Sequence, residues 1–96
     1  MNDITITRHD AAASGEYRAA VSGRVEIGRL TYQRRGTILV ANHTLVPPEI
    51  GGKGIAAKLV EALIADARTA GDKIEPQCSY VDAAFRRHPD WADVRA

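Results

Sequence analysis

Ile4 and Ile6 alternate with Thr5 and Thr7, a period of two that predicts a strand. His9 to Gly15 is small and polar and reads as a loop. Alternation resumes at Tyr17, Ala19 and Val21, and Ser22-Gly23 marks a hairpin turn. Val25 and Ile27 begin a third run, but Leu30 and Tyr32 continue it in the opposite phase. A one-residue slip at Gly28-Arg29 is what a β-bulge produces. Gln33 to Gly36 turns the chain again, and Thr37 to Val46 is the longest strand predicted. Its Ile38-Leu39-Val40-Ala41 run is apolar throughout, which predicts cover on both faces. Pro47-Pro48 ends it, since neither proline can donate to a ladder.

After the prolines the period changes. Ile55, Leu59, Val60, Leu63, Ile64 and Ala67 fall on one helical stripe. Lys58, Glu61, Asp66 and Arg68 lie off it, and Gly71 is placed to cap the C-terminus. Lys73-Ile74-Glu75 reads as a short strand ended by Pro76. Ser79 with Asp82 three positions on resembles a capping box and predicts a helix from Tyr80 to His88, stopped by Pro89. The element order is therefore four antiparallel-prone strands, helix, strand, helix. The fold class expected is α+β on a mostly antiparallel twisted sheet, with one main helix after the long fourth strand and a short C-terminal helix.

Composition narrows the function. Ninety-six residues give one small domain, 1–96, with no room for a second core. A hydrophobic share of 45% suffices for a core without metal or disulfide support. The single cysteine, Cys78, cannot form an internal bridge and fits a reducing, cytoplasmic setting. Met1-Asn2-Asp3-Ile4 starts a strand-like run and not a leader, and no apolar run reaches membrane-span length. Thirteen basic and twelve acidic side chains argue against a nucleic-acid partner, which calls for a large positive excess. The chain is expected as a monomer or weak dimer, away from nucleic acid and membrane.

The chemistry concentrates at "GGKGIAAKLVEAL", where Gly51, Gly52, Lys53 and Gly54 precede Ile55. A helix N-terminus carries N–H groups without internal partners and a partial positive charge. Glycines let a phosphate reach those donors, and Lys53 can add a full charge. The same cluster would also serve as a turn into the helix, and both readings fit the local sequence. Gly52, Gly54 and Ala57 fit the dinucleotide fingerprint, but the chain has room for one βαβ unit and lacks the acidic residue after the next strand. The P-loop pattern fails because Gly54 follows Lys53 where Ser or Thr is required.

The stretch resembles motif A, Q/R-x-x-G-x-G/A, of the GNAT superfamily of N-acetyltransferases. Gly54 and Ala56 match its last two specified positions, while Gly51 stands where Gln or Arg is expected. The run "ANHTLVPPEIGGKGIAAKLVEALIADAR" followed by "KIEPQCSYVDAAFRRHPDW" is similar to the short, stand-alone YjdJ-type branch of that superfamily. The likeness covers about residues 16 to 94. It implies a GNAT-like fold and acetyl-coenzyme A as co-substrate. Gly51, Gly52, Lys53, Gly54, Ile55 and Ala56 would then hold the pyrophosphate, and the backbone of Leu45 and Val46 the pantetheine arm. Arg86 and Arg87 read as a solvated helix face, but the resemblance sets that helix beside the coenzyme groove, where one of them, Arg87, would pair with a phosphate.

Two reactive side chains fall near the acyl site that this resemblance implies. Cys78 precedes the last helix, whose N-terminus favours a thiolate able to carry an acetyl group; a free cysteine is otherwise a small buried hydrophobe. His43, at the polar end of the long strand beside Thr44, can take a proton from an incoming amine, or be structural. His9 lies in a loop without a role, and His88 matches the branch's Arg-His-Pro signature or caps the last helix. No histidine, cysteine and carboxylate grouping has metal spacing, so no metal is expected. The function expected is acetyl transfer to an amine on a protein, a polyamine or a small molecule. The alternatives are an acyl-coenzyme A-binding module without transferase activity, and an interaction domain with no ligand.

Overall fold

A computed structural model describes residues 3–52 and 54–96. The elements run β1 (Ile4–Asp10), β2 (Ser14–Val21), β3 (Ile27–Arg35), β4 (Ile38–Leu45), a 3-10 turn (Pro48–Ile50), α1 (Ile55–Ala70), β5 (Lys73–Pro76), α2 (Ser79–Arg87) and a second 3-10 turn (Pro89–Val94). The sheet order is β1-β2-β3-β4-β5. The first three pairings are antiparallel and β4–β5 is parallel. This is the expected α+β fold, with the main helix after β4 and a short helix near the C-terminus.

α1 lies on one face of the sheet because its sequence is apolar on one side. The six residues of the predicted stripe are the six that α1 buries. They pack on Tyr17, Ala19 and Val21 of β2, Leu30 and Tyr32 of β3, Leu39 and Ala41 of β4, and Ile74 of β5. Val81, Ala84 and Phe85 of α2, with Trp91 and Val94, complete the same core. Leu63 is fully buried there, and Leu63→Ala would cost about 2–5 kcal/mol. Gly71 ends α1 at φ 76°, its N–H bonded to the Ala67 carbonyl, as the sequence predicts. Polar groups tie the layers together at the edges. Asp66 of α1 accepts from Tyr17 Oη at 2.7 Å and from Arg8 at 3.2 Å, and Arg34 grips the buried Asp72 with two bonds.

Several expectations are corrected. The loop expected at residues 9–15 is only residues 11–13, because β1 runs to Asp10 and β2 starts at Ser14. No bulge falls at Gly28-Arg29; the β2–β3 register is unbroken from Ser14↔Gln33 to Ala20↔Ile27. Val25 is outside the strand and 89% exposed, so it never belonged to the alternation. The core-facing phase begins at Gly28, where a Cβ would come within 2.9 Å of Ile55 Cγ2. The missing side chain is what lets the start of α1 sit close on β3. The bulge falls instead on β4: Tyr32 pairs with Ala41 and Thr31 with His43, leaving Asn42 as the extra residue. Double cover of β4 is seen at Val40, buried on the face away from α1, while Ile38 is only partly covered. α2 starts at Ser79, one residue early, with Cys78 at the cap position and no side-chain cap bond, so the capping box does not form.

Candidate active site

The chain between β4 and α1 is held by its ends. Ile50, fully buried, anchors the 3-10 turn that Pro48 begins. The N–H of Ile50 donates to the Pro47 carbonyl and that of Gly51 to the Pro48 carbonyl, both at 3.1 Å. The Gly51 amide is therefore engaged within the turn, and its φ of −67° is open to any residue. Gly52 and Gly54 differ, at φ 75° and 71°, a left-handed conformation that side-chained residues avoid. Gly54 is the N-cap of α1 and supplies no side-chain bond, and the first intrahelical donor is Lys58 N–H to Gly54 O at 3.1 Å. The preceding amides, through Ile55 and Ala56, form the open donor end of the helix. A Cβ at Gly52 or Gly54 would meet nothing within 4 Å, so this backbone faces open space. The arrangement fits an anionic group, with open amides and the positive end of a 16-residue helix around a space that no described side chain fills. Lys53, expected to assist, lies outside the described residues.

β4 leads into this loop, and its far edge opens just before it. The β4–β5 ladder runs from Ile38↔Lys73 to Ala41↔Pro76 and stops, since Pro76 has no N–H to continue it. Cys78 N–H then donates to the Ala41 carbonyl at 2.8 Å, placing the thiol beside the widening gap. Beyond Ala41, β4 keeps β3 as its strand partner through Arg29↔Leu45, and its other edge has no ladder among the described residues. Leu45 is 52% exposed and Val46 packs partly on the core. The open edge and the open helix end are thus joined by one short, anchored loop.

The bulge at Asn42 sorts the reactive side chains onto two faces. Thr44 pairs with Leu30 on the α1 face, and its hydroxyl accepts from Cys78 Sγ at 3.5 Å. His43 pairs with Thr31 on the opposite face and is exposed. The structure therefore brings Cys78 to Thr44, and the hydroxyl that the sequence set beside His43 serves the thiol instead. Burial works against ionising Cys78, but the bond with Thr44 and the nearby N–H groups of Val81 and Tyr80 outweigh it and hold its pKa below the usual thiol range. Those N–H groups lie at the open end of α2 without forming a cap bond to the side chain.

Other expected site residues stand apart. Arg87 is exposed in the last turn of α2, about 13 Å from the Cys78 end by helix rise. Among the described residues it makes no ion pair, whereas Arg86 pairs with Asp82 at 3.4 Å. His88 stacks on Trp91 with ring centroids 3.9 Å apart, a packing contact at the end of α2. Thr44 is the site residue that the sequence left without this role, because its partner is 34 positions away. Ile50 was also missed, since one apolar residue between prolines and glycines carries no periodic signal.

β4 opens at a bulge and feeds a glycine-led helix N-terminus, an arrangement with the donors and the space to suit an anionic group. A family model described as GCN5-related N-acetyl-transferase matches residues 16–94. The chain belongs to this family, and the match is compatible with the short YjdJ-type branch. No curated protein matches it.

Proposed function

We propose that this chain is a single-domain, acetyl-coenzyme A-dependent N-acetyltransferase of the cytoplasm. The observation that carries the reading is the open N-terminus of α1. Gly52 and Gly54 adopt conformations suited to glycine, present bare amides to solvent and leave the helix uncapped. A Ser, Thr, Asp or Asn cap would occupy one of the helix's free amides for a gain of only about a few tenths of a kcal/mol over Gly, and with Gly54 at the cap those amides stay open. Gly52, Gly54, Ile55 and Ala56 would hold the pyrophosphate through their N–H groups. Gly51, whose amide is engaged, would contribute only by lacking a side chain, and Lys53 and Arg87 would add positive charge. The free edge of β4 at Leu45 and Val46 would take the amide-bearing pantetheine arm by strand-like hydrogen bonds.

Acetyl-coenzyme A, when bound, supplies an acetyl group activated as a thioester. The chain's own groups then have distinct tasks. His43, exposed on the face away from α1, would accept the proton that an attacking amine must lose. Cys78 is the alternative: a thiolate that could take the acetyl group and pass it on. Because the two side chains lie on opposite faces of β4, they serve two routes and not one cysteine–histidine pair. Direct transfer assisted by His43 is the route proposed, with an amine on a protein, a polyamine or a small molecule as acceptor. A thermal-shift titration with acetyl-coenzyme A is expected to raise the melting temperature, and a panel of the three amine classes to show transfer. No shift would remove both the transferase and the binding-module reading; a shift without transfer to any class would leave only the binding module.

A further inference from the structure

Position 44 faces Cys78 because of a single extra residue. Leu39 and Ala41 point to the α1 core, so a regular strand would next turn residue 43 to that face and residue 44 away. Asn42 interrupts the alternation and is held in place by Thr31 Oγ1, which donates to Asn42 Oδ1 at 2.6 Å. The bulge thus swaps His43 out and Thr44 in.

We propose that Thr44 is a positioning residue for the Cys78 sulfur, accepting from the thiol when it is neutral and rotating to donate to it when it is ionised. A hydroxyl can do both, since it carries a donor and two acceptor lone pairs on a free rotor. The proposal rests on the transferase reading of this site and bears on its alternative route, through Cys78, by fixing where along the β4 edge the sulfur sits and in which charge state. Among the described residues of β4, β5 and α2, no charged group stands ready for that task. On β4, His43 lies on the other face; on β5, Glu75 pairs with Val40 on that same other face. On α2, Asp82 is tied to Arg86 and Arg95, and Tyr80 is partly buried. Hydrogen-bond donors would then stabilise a sulfur anion here, and among the described side chains the Thr44 hydroxyl is the one bonded to the sulfur. The lowered thiol pKa, owed in part to Thr44, agrees with this.

The chain has one cysteine, so alkylation by iodoacetamide reads this thiol alone. The pH–rate profile of the unmodified protein is expected to have its midpoint below that of an ordinary thiol. Thr44→Val keeps shape and β-branching while deleting the hydroxyl, and should raise the midpoint by about one pH unit, or tenfold less thiolate near neutrality. Thr44→Ser should keep the wild-type midpoint. Circular dichroism checks the fold, and Thr44→Ala replaces Thr44→Val if the latter does not fold. Coincident profiles for wild type and the hydroxyl-free variant would overturn the proposal, as would a Ser variant that behaves like Val. Alkylation needs no coenzyme, so this result and the thermal shift with acetyl-coenzyme A can fail separately.

Discussion

Gly54→Val tests the cradle, and Gly71→Val is its internal control. The two glycines cap opposite ends of α1 with nearly the same backbone, φ 71° ψ 20° and φ 76° ψ 19°. Neither has an atom within 4 Å of the place a Cβ would occupy, so steric overlap inside the protein does not distinguish them. Forcing a β-branched residue into this conformation costs about 1–2 kcal/mol at either site. In a domain of this size each kcal/mol lowers the melting temperature by about 4–8 °C, so both variants should melt on the order of 10 °C lower and still fold at 25 °C. Their coenzyme affinities should differ. At position 54 the isopropyl group enters the space before the free amides; at position 71 it lies about 26 Å away by helix rise. Losing one charge-assisted hydrogen bond to a phosphate is worth about 1.5–3 kcal/mol, so calorimetry should find at least about tenfold weaker acetyl-coenzyme A binding in Gly54→Val. Gly71→Val should bind as the wild type does. Equal affinity of the two folded variants would refute the cradle, whatever the stability data show.

Three further outcomes follow from the site and the fold. His43→Ala should lower the rate of acetyl transfer roughly 10²–10⁴-fold and regain part of it at high pH, where the amine deprotonates unaided; a flat pH profile of the deficit would count against the general base. Cys78→Ala should keep most of its activity under direct transfer, and mass spectrometry of protein mixed with acetyl-coenzyme A alone should find no acetylated Cys78 that forms and decays at the turnover rate. Stability should fall in acid. The Tyr32 hydroxyl, against burial and aided by Arg8, holds the Asp10 pKa below its ordinary value, and Arg18, against burial and aided by Arg29, does the same for Glu16. With folded values below unfolded ones, their contribution is complete above about pH 5 and is lost as pH drops below about 4. Thermal melts between pH 7 and 3 should show that loss, and Asp10→Asn should flatten it.

The helix stripe from Ile55 to Ala67, the Gly71 cap and the phase of β1 and β2 were legible in the chain, because each depends on neighbours a few positions away. The glycine-led start of α1 was legible for the same reason: an uncapped N-terminus after Gly52 and Gly54 is a local fact of backbone freedom. The course of β3 was misread, since Val25 is apolar yet stays exposed, and only the approach of Ile55 to Gly28 shows which face looks inward. The tertiary structure alone decided the chemistry of the strand edge. Nothing in "ANHTL" says that Asn42 is the extra residue; that follows from pairing with Thr31 and Tyr32, ten positions or so upstream, and from the bond Thr31 makes to it. The alternation of His43 and Thr44 hangs on that pairing, and so does the meeting of Thr44 with Cys78, 34 positions apart. Local pattern sets which face of each element is apolar, but the register between distant strands sets which polar side chain a reactive group meets.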